Sequence, residues 1–270
     1  MESMSGGVIG LSERGPGHAV FHALFTQPGM LRSRGRLAQF FGVSPLTEAG
    51  RRWYDGALGE IAVGELLTKL DSGWTVLHSV PVGRHGSDID HVLLGPAGVF
   101  TVNTKNHSGQ RIWVGGGTLL VSGTRCDHVR NSEYEASRAS RLLTSSVGWP
   151  VPVRPVLAIL DPALLQIVQK PTGVDVIDAR KLVKWLKRRP TVLDVNQRAE
   201  VAAVLATPAT WRQQPDTEAD LNRSQAFQTL QTADRQARRR RRTIAVLTFM
   251  IICATVLTAY ELIKPLQLVP

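Results

Sequence analysis

The 270-residue chain predicts an α/β fold: a central mixed sheet flanked by helices, followed by one C-terminal transmembrane helix. Three observations carry this. Residues 53–71 place apolar side chains at helical spacing. Short β-rich segments separated by turn residues follow over 74–122. Residues 243–260 then run for 18 positions without a charge.

Residues 1–50 are rich in glycine, serine and arginine, lack a clear period, and read as a loosely ordered N-terminal arm. Within the arm, 31–41 suggests a short basic helix whose Arg32, Arg34 and Arg36 either touch phosphates or form a solvated face. In the next segment Leu58, Ile61, Ala62, Leu66, Leu67 and Leu70 recur every three or four residues, and Asp71, Ser72 and Gly73 end that helix. Residues 74–82 form a strand and 83–87 a loop. Two further strands, 89–94 and 99–105, are joined by a turn at 95–98. A second hairpin pairs 110–114 with 119–122 around Gly115, Gly116 and Gly117. That glycine run is a turn and not a phosphate-binding loop, because no Lys-Ser/Thr pair or helix follows it. A polar, arginine-bearing helix covers 131–147, and the β-branched run 153–160 reads as a central strand. A short strand at 174–177 leads to a helix capped by Asp178 and running through Arg188, and another helix covers 196–206.

This gives an arm (1–50), a main domain (51–165), its helical and strand extension (166–206), a polar and basic linker (207–242), the membrane helix (243–263) and a short tail (264–270). The net charge of +10 favours an anionic partner, nucleic acid or an acidic membrane surface. Half of it sits in residues 234–242, where six arginines face one aspartate. The two cysteines, Cys126 and Cys253, lie in segments of different character and imply neither a disulfide framework nor a thiolate metal site, which fits a reducing compartment. The first residues lack the basic and apolar regions of a secretory signal.

An 18-residue helix is ~27 Å long, close to the ~30 Å bilayer core. A buried core helix has similar length, but the terminal position and the adjoining arginines favour a span. Tyr260 stands at an interfacial position. The excess of arginine before the span, against one lysine after it, predicts a single-pass cell-membrane protein with its N-terminal domain cytoplasmic and its C-terminus outside. Arg238 to Arg242 would contact anionic lipid.

The residues that carry chemistry lie on the two strands around the 95–98 turn. Asp90 near the start of one and Lys105 at the end of the next suit metal-assisted cleavage of a phosphodiester. Hard Mg²⁺, or Mn²⁺, takes carboxylate, carbonyl and water oxygens. Asp90 is the principal candidate ligand, Glu60 on the preceding helix a second, and Asp88 a third; Glu65 is a rival helix carboxylate. Lys105 would orient water or offset developing charge. Side chains two apart on a strand share a face, so Asn103 joins Lys105. His91 should face the other way as a packed or exposed residue; His85, His107 and His128 read as surface histidines, and Cys126 as packing. Arg84 and Arg111 are candidate phosphate contacts.

Leu58-Gly59-Glu60, Asp88-Ile89-Asp90-His91, Gly98-Val99-Phe100 and Asn103-Thr104-Lys105-Asn106, followed by Gly109 and Trp113, resemble the NERD (nuclease-related) domain over about residues 54–165. The resemblance implies a PD-(D/E)XK nuclease-like fold with Asp90, Lys105, Glu60 and Asn103 as catalytic residues. The family pattern has Glu or Gln where this chain has Asn103, which is shorter and uncharged. The function expected is a membrane-anchored, divalent-metal-dependent nuclease acting on DNA ahead of RNA. The alternative is a catalytically degenerate, membrane-tethered nucleic-acid-binding or scaffolding module.

Overall fold

The computed structural model describes residues 10–82, 88–211 and 218–263. In chain order the elements are α1 (His18–Thr26), α2 (Arg36–Phe40), α3 (Glu48–Leu67), β1 (Thr75–Pro81), β2 (Asp88–Gly95), β3 (Gly98–Asn106), β4 (Arg111–Gly115), β5 (Thr118–Val121), β6 (Thr124–Cys126), α4 (His128–Val147), β7 (Val153–Leu160), β8 (Leu164–Gln169), β9 (Asp175–Asp178), α5 (Leu182–Lys187), α6 (Val195–Leu205) and α7 (Glu218–Ile263). They fall into two compact units, Met1–Leu24 with Arg52–Arg223, and Phe25–Arg51 with Ser224–Pro270.

The first unit is built on a five-stranded mixed sheet of order β1-β2-β3-β7-β9. β1, β2 and β3 are antiparallel neighbours, whereas β7 runs parallel to both β3 and β9. β3 and β7 are central, so both their faces are covered and their sequences read as near-continuous apolar runs. On one face Leu77, Val92, Leu143, Val201, Leu205 and Trp211 pack together. On the other, Val63 and Leu67 of α3 and Leu182 and Leu186 of α5 meet Leu93, Phe100 and Val102. A four-stranded sheet, β6-β5-β4-β8, adjoins it through a third cluster that joins Ile112 and Val114 to Leu157 and Ile159. The mixed α/β architecture flanked by helices is therefore the one the sequence predicts.

Local signals account for the helix ends. α4 stops at Gly148, whose φ of +85° suits a left-handed cap. α6 starts at a capping box in which Asp194 accepts from the Gln197 backbone and Gln197 accepts from the Asp194 backbone. Asp178 accepts from the Arg180 backbone N–H, as expected, but the helix after it opens as one 3-10 turn before α5.

Some elements differ from the sequence expectation. β8 was not anticipated, because most of its residues are exposed and its register is set only by parallel pairing with β4. α3 begins at Glu48, earlier than the apolar period. The arm holds more regular structure than its composition suggests: Leu11, Phe21, Leu24 and Leu46 are buried. The short basic helix expected over 31–41 is confined to α2.

In the second unit α7 is 46 residues long and contains neither glycine nor proline. It is long and apolar enough to cross a membrane, and no residue of its most apolar stretch is buried. The segment before α3 packs on its polar half. Asp234, 1% exposed, accepts hydrogen bonds from Arg51 Nη1 at 2.9 Å, Arg238 Nε at 2.8 Å and Ser44 Oγ at 3.0 Å. Gly42, with φ +70°, rests so close to α7 that a Cβ there would lie 2.5 Å from the Ala237 carbonyl oxygen.

Candidate active site

The pairing of β2 with β3 runs from the 95–98 turn to His91 opposite Val102. Beyond that point the Thr104 backbone N–H donates instead to the Asp90 carboxylate, at 2.6 Å. A backbone group that would otherwise lack a strand partner thus fixes the acid. α3 closes the other side. Gly59 allows this approach: a Cβ at that position would stand 3.0 Å from Asn106 Cβ and 3.3 Å from Thr104 Cγ2. The Asn106 amide donates to the Asp55 carbonyl at 2.7 Å and ties the end of β3 to α3. The residue after Gly59 is Glu60, which with Asp90, Thr104 and Lys105 lines one groove.

Three carboxyl groups are held above their ordinary range. Glu60 is buried, and burial is the main cause of its large upward shift; Asp90 adds to it, while Lys105 and a hydrogen bond from the Gly17 backbone oppose it. Asp90 is raised by loss of solvent, against Lys105 and the Thr104 N–H. Glu135 of α4 is also raised by loss of solvent, opposed by a hydrogen bond from the Asn103 amide at 2.5 Å. Asp90 and Asp88 push Glu135 the same way, and Asp88 also acts on Glu60. Lys105 is the cation common to all three. Burial and like charges together oppose ionisation.

The structure therefore brings together Glu60, Asp88, Asp90, Asn103 and Lys105 from the sequence-predicted set. Glu65 is exposed on α3. Arg111 is exposed at the start of β4 and lines a different groove, on the small sheet. Arg84 and His85 lie outside the described residues. His91 is fully buried on the opposite side, its Nδ1 2.8 Å from His78 Nδ1 and its Nε2 3.4 Å from Thr104 Oγ1. Cys126 and Cys253 are both free thiols.

Several residues were not singled out by the sequence. Glu135 enters from α4, 32 residues beyond the Asn103 it binds. Arg52 and Trp53 line the groove beside Glu60, both exposed. His107 and His128, expected to be surface residues, meet with their Nε2 atoms 3.2 Å apart. Burial and the nearby Lys105 cation lower both, His128 to about 4, so the pair is neutral at ordinary pH. The helical spacing of Glu135 on α4 was visible, but the face it presents to β3 was not.

Among the described residues, no three His, Cys, Asp or Glu side chains converge closely enough to hold a metal ion by themselves. The donor set still fits a hard divalent ion. Glu60 and Asp90 offer carboxylate oxygens, and both are pushed above their ordinary range, chiefly by burial, with Lys105 as the nearby cation. Mg²⁺ commonly takes one or two carboxylates and keeps several waters.

An uncharacterized protein of Bacillus anthracis is 40% identical over 86 residues, a match covering 30% of this chain and 39% of that protein. No solved structure matches. Residues 55–160, which contain Glu60, Asp90, Lys105 and Glu135, match the model of the nuclease-related domain, NERD, and this match lies ahead of the apolar C-terminal helix.

Proposed function

We propose that the protein is a membrane-anchored, divalent-metal-dependent nuclease whose catalytic unit lies on the cytoplasmic side and acts on DNA, with RNA as the second candidate. The observation that carries this reading is the convergence of Glu60, Asp90 and Lys105 on one groove from three separate elements. The nuclease-related domain over 55–160 supports it. The apolar stretch of α7 and the six arginines before it support the anchor and its orientation.

Glu60 and Asp90 would hold a Mg²⁺ or Mn²⁺ ion, with Asp88 and Glu135 reinforcing the negative field. When bound, such an ion neutralises the phosphate and lowers the pKa of a coordinated water. The chain's own residues do the rest. The Thr104 N–H holds the Asp90 carboxylate in place, and the Gly17 N–H does the same for Glu60. Lys105 offsets charge developing on the phosphate in a partly dehydrated setting, where such help is strongest. Arg52 and Trp53 at the rim suit a phosphate contact and a base-stacking surface respectively.

A second reading has its own observation. The Asn103 amide is committed to Glu135, so the position that carries Glu or Gln in the family pattern supplies no acid here. A module that binds nucleic acid without cutting it would look like this. The test is cleavage of labelled plasmid and single-stranded DNA by the full chain in detergent, with Mg²⁺, Mn²⁺ or EDTA, beside Asp90→Ala and Lys105→Ala. Metal-dependent cutting lost in both variants supports the nuclease. Binding without cutting under any condition overturns it in favour of the second reading.

A further inference from the structure

The second unit carries an exposed apolar cluster beside the start of the span. Leu37 is 76% exposed, Phe40 64% and Phe41 57%. The two phenylalanine rings stack edge to face with centroids 5.2 Å apart. Three large apolar side chains left in water within five residues are unusual unless something covers them.

Their position along α7 identifies the cover. Ser44 bonds Asp234, Gly42 rests on Ala237 and Arg241, and the Arg240 guanidinium donates to the Gln39 carbonyl at 2.8 Å. Read from Ser44 back to Gln39, the segment therefore advances along α7 toward the apolar run. Arg241 is two residues from Thr243, where that run begins, or ~3 Å of helix rise. The phenylalanines thus sit at the level where the basic stretch of α7 gives way to its apolar stretch. The same segment carries Arg32, Arg34 and Arg36, and α7 carries Arg238 to Arg242. Arginine around exposed aromatic and aliphatic side chains is the composition of a surface that lies in the headgroup boundary.

We propose that α2 and the residues around it form a second membrane contact, with Leu37, Phe40 and Phe41 seated in the acyl boundary and the arginines on anionic headgroups. This rests on α7 crossing the bilayer. The shared basic charge also suits nucleic acid, but exposed phenylalanines continuous with an apolar helix favour lipid.

The test uses the full chain with Cys126→Ser and Cys253→Ser, reconstituted in vesicles of phosphatidylcholine and phosphatidylglycerol. A single cysteine replaces Phe40 or Phe41 in turn and carries an environment-sensitive dye. Cysteines at Met250, inside the run, and at Val195, exposed on α6, serve as references. The expected result is blue-shifted emission at 40 and 41, quenched severalfold more by shallow spin-labelled lipid than at 195, with 250 quenched best by deep label. Quenching at 40 and 41 equal to that at 195, with 250 still quenched, overturns the second contact and leaves the span standing. An unquenched label at 250 overturns both. A response at 40 and 41 to oligonucleotide but not to lipid overturns the proposal in favour of nucleic acid.

Discussion

Glu60 and Asp234 are both buried carboxylates, 8% and 1% exposed, yet they titrate in opposite directions. Burial pushes both up. Around Asp234, hydrogen bonds from Arg51 and Arg238 overcome it and bring the group down to about 2. Around Glu60, one lysine faces several acids and the group stays well above its usual range. Burial weighs more heavily on Glu60, and only around Asp234 do the neighbours offset it. A carboxylate saturated by arginines is a finished structural joint, whereas a carboxylate that shares a single lysine with other acids keeps an appetite for a cation.

The sharpest way to break this comparison is to neutralise one acid of each kind. Asp90→Asn should lower metal-dependent cleavage by about 10²–10³-fold, the scale of losing one aligned electrostatic group. Its melting temperature in EDTA should hold or rise, because an unfavourably buried charge is removed. A fall in melting temperature with cleavage intact would make Asp90 structural. Asp234→Ala should do the reverse. It strands Arg51 and Arg238 and should cost about 2 kcal/mol, below the ~3–5 kcal/mol of a fully buried pair because Arg238 is 45% exposed. Denaturant unfolding in detergent reads this, with cleavage per folded molecule unchanged.

The pH dependence sharpens the contrast. A carboxyl group whose folded pKa is raised binds more protons folded than unfolded, so stability falls as pH rises from the ordinary value near ~4.3 through the raised one. In EDTA the melting-temperature advantage of Glu60→Gln over the parent should therefore grow as pH rises through that window, and Mg²⁺ should erase it. Asp234 behaves oppositely: its contribution is complete above the ordinary value near ~3.9 and is lost as pH falls toward about 2. The parent's advantage over Asp234→Asn should close over that range. The smallest effect is expected at Asn103. Asn103→Glu adds an acid beside Glu135 and should lower the Mg²⁺ concentration for half-maximal cleavage severalfold, at some loss of stability in EDTA; an unchanged metal requirement would place Asn103 outside the metal's reach.

What was legible in the sequence was what neighbours along the chain decide. Asp90 and Lys105 stand on adjacent strands joined by a short turn, so alternation and turn chemistry located them. The helical period placed Glu60 on a helix, and the resemblance carried by Leu58-Gly59-Glu60 singled it out. The long apolar C-terminal helix followed from length and charge. Glu135 was hidden because its role depends on which face of α4 meets β3, a matter settled by parallel pairing of β3 with β7 across a long connection. The His107–His128 pair was hidden likewise, since one residue follows β3 and the other opens α4. Phe21 and Leu24 of the arm belong to a nine-residue helix too short to show a period against its polar setting.

The seating of Gly42 on α7 has a consequence for motion. A single helix crossing a bilayer is free to spin about its own axis and to bob along the membrane normal. Clamping a loop to the backbone of residues 237–241 gives this helix a front and a back just outside the apolar run. With α7 in a bilayer and Phe40 and Phe41 in lipid, as proposed, turning the helix would drag them sideways through lipid and raising it would pull them into water. The anchor would then have one preferred height and resist displacement along the normal, as a collar on a shaft does.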